Sequence, residues 1–147
     1  MRACRLCVFV LALIGTAVSA WAQSPPPSPF QNAPPIADPH DVSVGGVWVC
    51  RITEPALGLT PEERVVQMNK QITEALSTPK FRRGATIGVR RDGPNVQIVM
   101  EHLTIVTVTP ADAKGTTVKP LELARQWAGR LAHGLSRALP DAEFHTF

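Results

Sequence analysis

Val42-Ser43-Val44-Gly45-Gly46-Val47-Trp48-Val49-Cys50-Arg51-Ile52 is the stretch on which the fold turns. Two short runs rich in β-branched residues flank a Gly-Gly pair, and such a pair supplies the positive φ angles of a tight hairpin. Alternation along the second run places Trp48, Cys50 and Ile52 on one face and Val47, Val49 and Arg51 on the other. Trp48 is therefore expected in the core.

Downstream, the hydrophobic period changes from two to about 3.6. Leu59-Thr60-Pro61-Glu62-Glu63 has the chemistry of a helix start: Thr60 as N-cap, Pro61 at the first helical position and Glu63 closing a capping box. Val65, Met68, Ile72 and Leu76 then form one buried stripe, and Pro79 ends the helix. Ala85–Arg91, Val96–Met100 and Leu103–Thr109 read as strands. Asp92-Gly93 turns the chain between the first two, whereas Glu101-His102 is a poor turn by residue type, leaving a bulge or a continuous strand open there. A last helix begins near Pro120 and carries Leu123, Ala124, Trp127, Leu131, Leu135 and Leu139 on one side. Ile72, Trp127 and Leu131 join Trp48 as expected core residues.

The two halves match when laid side by side. Val44–Val49 aligns with Met100–Ile105 at an offset of 56 residues, and Pro61, Val65, Met68, Ile72 and Leu76 align with Pro120, Ala124, Trp127, Leu131 and Leu135 at an offset of 59. Two hairpin-plus-helix units sharing one sheet would bury faces that neither could bury alone. The expected class is α+β: a small antiparallel or mixed sheet of four to five strands with two helices on one face.

Upstream, Ser24–Asp41 holds seven of the chain's 14 prolines and reads as a leader or spacer that builds no core. Residues 1–22 have two arginines, an apolar run and Ser19-Ala20-Trp21-Ala22, the pattern of a cleaved secretory signal peptide. The expected organisation is signal peptide 1–22, proline-rich leader 23–41, one domain over 42–140 and a C-terminal tail over 141–147, with a periplasmic or secreted product. The whole chain is 147 residues with a formal charge of +3. Removing Arg2, Arg5, Cys4 and Cys7 leaves a net +1 and a single cysteine, Cys50, so no internal disulfide is expected. A near-neutral exported chain with 5% aromatics is a poor nucleic-acid binder.

The chemistry-bearing residues are few. No phosphate-binding glycine loop, paired-cysteine knuckle or nucleophile elbow is present. Cys50, His102 and Glu101 are the one set with the residue types of a cysteine nucleophile, its base and an orienting acid. Asp38, His40 and Asp41 form a weak metal-ligand cluster, and no metal or cofactor is expected. Lys80, Arg82, Arg83, Arg90 and Arg91 bracket the middle strand as a basic surface for an anionic partner. Basic residues on an edge strand also discourage aggregation between sheets.

Val106-Thr107-Val108-Thr109-x-x-Asp112-Ala113, followed by Pro120 and Leu123-Ala124-x-x-Trp127-Ala128-x-x-Leu131, together with Val42–Gly46 and Gly58–Arg64, resembles a known family. It is similar to the soluble N-terminal domain that precedes the pore in bacterial small-conductance mechanosensitive ion channel proteins, over about Val42 to Leu139. Two departures stand out. Glu101-His102 replaces an Asn/Asp-rich turn, and the chain ends at Phe147 with no pore-forming helices, so this copy would not itself conduct ions. The resemblance implies an exported, non-enzymatic envelope domain that acts as a binding or regulatory module. Its partner would be an envelope protein or cell-envelope component, with peripheral membrane contact open. Two alternatives remain at this point: a small exported enzyme or metal binder using Cys50, His102 and Glu101, and a truncated relic of a channel gene.

Overall fold

The computed structural model describes residues 38–147; the readings of 1–22 as a signal peptide and of 23–37 as leader lie outside them. The chain runs through β1 (Asp41–Val44), β2 (Val47–Arg51), α1 (Pro61–Ser77), a 3-10 turn (Phe81–Arg83), β3 (Gly84–Asp92), β4 (Asn95–Met100), β5 (Leu103–Val108), α2 (Pro110–Ala113), α3 (Pro120–Ala138) and β6 (Glu143–Thr146). The class is α+β. β1 and β2 form a two-stranded antiparallel sheet, and the other four strands form a mixed sheet in the order β5-β4-β3-β6. The two hairpins therefore do not share one sheet; α3 links them by packing against β1 and β2 as well as β3, β4 and β6.

Residues 141–147 are more than a tail: β6 pairs in parallel with β3, from Gly84 opposite Glu143 to Ile87 opposite Thr146. Its sequence, Glu-Phe-His-Thr, has one large apolar residue and too short an alternation to signal a strand. Both long helices start at a proline. α1 has the full capping box, with the Thr60 hydroxyl accepting from the Glu63 N–H at 3.2 Å and the Glu63 carboxylate accepting from the Thr60 N–H at 2.8 Å.

The core is one cluster to which both hairpins and both long helices contribute, and it includes Ile72, Trp127 and Leu131. Trp48 corrects the expectation: it is 46% exposed. Val42 lies opposite Cys50 and Ser43 opposite Trp48, so Val49 is an extra residue in β2. A bulge of this kind breaks the period of two. Val49 and Cys50, adjacent in sequence, are both buried, and Trp48 is turned outward.

The second hairpin repeats the first in detail. Gly45 and Glu101, 56 positions apart, both have φ of +55° at the first position of a two-residue turn. Ile98 lies opposite Val106 and Val99 opposite Thr104, so Ile105 is the extra residue, 56 positions after Val49. Glu101-His102 is thus a tight turn despite its residue types. Its left-handed backbone is offset by two bonds to Thr86: the Glu101 N–H donates to the Thr86 carbonyl at 3.0 Å, and the Glu101 carboxylate accepts from the Thr86 N–H at 3.1 Å. The packing is reciprocal as well. α1 lies against β5 and α3 against β2, so each unit's helix packs on the second strand of the other unit's hairpin.

Candidate functional site

The residues singled out for catalysis do not meet. Cys50 is buried in β2 with its thiol directed at the Met68 sulfur, 3.8 Å away, and burial pushes its pKa up to about 12. That is the reverse of an activated thiolate. Glu101 is bonded to Thr86, and the His102 ring sits against Phe81 with centroids 6.1 Å apart, at the far end of the β4–β5 hairpin.

The metal-type cluster near β1 is instead a set of ion pairs. His40 lies 3.1 Å from Asp38 and 2.9 Å from Glu62, and Asp41 is held by Arg51 and by the Trp48 indole N–H. The Arg51 guanidinium first, and the Trp48 N–H second, bring the Asp41 carboxyl down to about 2. Among the described residues, no group of three His, Cys, Asp or Glu side chains is arranged to hold a metal ion.

The basic residues are placed along β3 and the turn before it. Lys80, Arg82 and Arg83 lie in and beside the turn that precedes β3, and Arg90 and Arg91 lie at its other end. Seven residues of extended chain separate Arg83 from Arg90 by ~23 Å. Arg90 is also engaged, donating to the Gln97 side chain at 2.7 Å.

The structure instead opens a groove that no residue type announces. β5 is the last strand of its sheet and pairs only with β4, so its outer edge carries backbone groups without a strand partner. Alongside that edge runs a stripe of α1: Arg64, Gln67, Met68 and Gln71 at helical spacing. Between the stripe and residues 103–107 of β5 lies a groove of about 340 Å³.

Leu57 and Leu59 also line it. Leu57 is 62% exposed and has φ of +58°, a left-handed conformation unusual for a branched residue. Inside, the Gln71 side-chain carbonyl is buried with no hydrogen-bond donor.

Arg64, on the α1 wall of the groove, belongs to a buried ion pair. Arg64 and Asp112 face each other through two contacts of 2.8 Å, with side-chain exposures of 4% and 2%. Arg64 also donates to the carbonyls of Glu54 and Thr107, and Asp112 accepts from the Thr109 N–H and hydroxyl. Both terminal nitrogens of Arg64 and both carboxylate oxygens of Asp112 are engaged, so the two charges offset each other. Arg64 and Asp112 are the last residue of Gly58–Arg64 and the acid of the Thr109-x-x-Asp112 segment, so those sequence features serve this ion pair.

Residues 41–138 match the family described as Domain of unknown function (DUF8459). The chain belongs to this family. Neither a curated protein nor a solved structure matches it. The DUF8459 region holds both hairpins, all three helices and the β5 groove; β6 lies beyond it. No helix among the described residues is long and apolar enough to cross a membrane.

Proposed function

We propose that this domain is a non-enzymatic binding module of the cell envelope that takes an extended segment of another envelope protein along the open edge of β5. The role is akin to that implied by the resemblance to the extramembrane domain of mechanosensitive channel proteins. The observation that carries the reading is a strand edge with no strand partner facing a helical stripe across a groove of about 340 Å³. Such a groove suits strand addition: main-chain hydrogen bonds provide affinity, and alternate side chains enter the recess between strand and helix.

The lining sets the preference. Met68, Leu57 and Leu59 favour apolar side chains, Gln67 and Gln71 offer amides, and the Arg64 charge is neutralised by Asp112. An incoming strand also brings N–H donors to the wall where the Gln71 carbonyl has none. The burial of Cys50 and its separation from His102 and Glu101 weigh against the enzymatic alternative.

Panning a random-peptide display library on the protein tests the proposal. Enriched peptides are expected to alternate apolar residues, and to lose about tenfold or more in affinity when Gln71→Trp fills the groove. Failure to enrich any peptide, or enriched peptides indifferent both to Gln71→Trp and to Thr104→Pro at the strand edge, would contradict it.

A further inference from the structure

The internal repeat has a consequence for binding. α1 packs on β5 and α3 packs on β2, so the arrangement that makes the first groove occurs twice. A second groove, of about 270 Å³, lies between α3 and β2. Its helical wall is Leu123, Gln126, Trp127 and Arg130. These four are the residues 59 positions after Arg64, Gln67, Met68 and Gln71, the helical wall of the first groove. The strand side agrees at the other offset: Trp48 and Arg51 line the second groove, and Thr104 and Thr107, 56 positions on, line the first. Arg64 and Leu123, Gln67 and Gln126, Gln71 and Arg130, and Arg51 and Thr107 lie outside the residues that define the two offsets, so the coincident walls mark the grooves as counterparts.

Their chemistry differs. Where the first groove has Met68, Gln71 and Thr104, the second has Trp127, Arg130 and Trp48. The Arg130 guanidinium lies 4.7 Å from the centre of the Trp48 ring and donates to the Val49 carbonyl at 3.4 Å. No carboxylate pairs with it among the described residues: Asp112, which also lines this groove, is neutralised by Arg64, and Arg51 is neutralised by Asp41. Trp48 is held in place by its N–H bond to Asp41 at 3.0 Å. The groove therefore offers one uncompensated, pre-positioned cation beside a half-exposed aromatic ring.

We infer that the α3–β2 groove is a second strand-docking site, selective for an extended peptide segment bearing an acidic side chain, so that the domain is bivalent. The carboxylate pairs with Arg130 in charge-assisted hydrogen bonds, and the neighbouring apolar side chain packs on Trp48. The mode of docking rests on the reading of the β5 groove as a strand-binding edge; the acidic preference rests on Arg130 and Trp48 alone.

The test uses a short blocked peptide alternating valine with glutamate, and its counterpart with glutamine at each glutamate, titrated against tryptophan fluorescence. The glutamate peptide is expected to shift the Trp48 emission, and that shift should disappear in Trp48→Phe. It should bind about tenfold or more tightly than the glutamine peptide, and lose that advantage in Arg130→Gln. Equal binding of the two peptides, no loss in Arg130→Gln, or no binding below about 1 mM overturns the inference. Amide exchange on the complex separates the two sites. Protection in β2 and α3 supports the second site, while protection confined to β5 and α1 overturns it and leaves the first groove standing.

Discussion

His40 and Glu62 show how single side chains tie the entering chain to the domain. Their hydrogen bond, 2.9 Å long, raises the His40 pKa above its ordinary 6.5 and lowers that of Glu62 below 4.5. The signs set a window. The His40 contribution is fully present below 6.5 and is lost as pH rises through the raised value; the Glu62 contribution is present above 4.5 and is lost as pH falls through the lowered value. A histidine NMR titration should therefore place the His40 midpoint above 6.5, returning toward it in Glu62→Gln. An unchanged midpoint in the variant would dissolve the tether.

Cys50 gives a second check at this scale. With its thiol pushed up to about 12, alkylation under native conditions should follow unfolding and run far slower than for a free thiol. Fast labelling of the native protein would revive the nucleophile reading. Alternation along β2 already points to a buried Cys50, whereas the residue types of Cys50, His102 and Glu101 alone read as a catalytic set that only the fold keeps apart.

Among the elements, the hairpins carry the most information. Their turns and strand runs are visible in the sequence, but the extra residues Val49 and Ile105 are not, since a bulge leaves composition unchanged and only shifts the face of what precedes it. That shift moved Trp48 from the expected core to the surface and created the second groove. β6 is not legible in the sequence, because its pairing with β3 is non-local and its own pattern is weak.

Where hairpin and helix meet, a glycine is needed. A Cβ on Gly134 would come 2.6 Å from the Val44 carbonyl oxygen, which is backbone and has little room to yield. Gly134→Ala should push the β1–β2 hairpin off α3 and cost about 1–3 kcal/mol in denaturant melts, against the gain in helix propensity. A neutral or stabilising result would mean the hairpin sits further from α3 than described. The buried pair joining α1 to α2 is a stronger constraint: Asp112→Ala strands the Arg64 charge and should cost about 3–5 kcal/mol. A loss below about 1 kcal/mol would contradict that burial.

For the whole molecule, the repeat is the organising feature, and much of it was legible. Offsets of 56 and 59 read from hydrophobic spacing recur in the turn angles, the bulges and the walls of two grooves. The grooves themselves were not legible, because each is built from one unit's strand and the other unit's helix, and no local stretch encodes that meeting. The basic residues, conspicuous in the sequence, are divided between the two ends of β3. Binding in the β5 groove is therefore assigned to a strand edge rather than to those charges. Amide hydrogen exchange of the protein, with and without a peptide enriched from the display library, tests this most directly. The account predicts slowed exchange in β5 and in the α1 stripe from Arg64 to Gln71, abolished by Gln71→Trp; no protection in β5 and α1, or protection there that persists in Gln71→Trp, would contradict it.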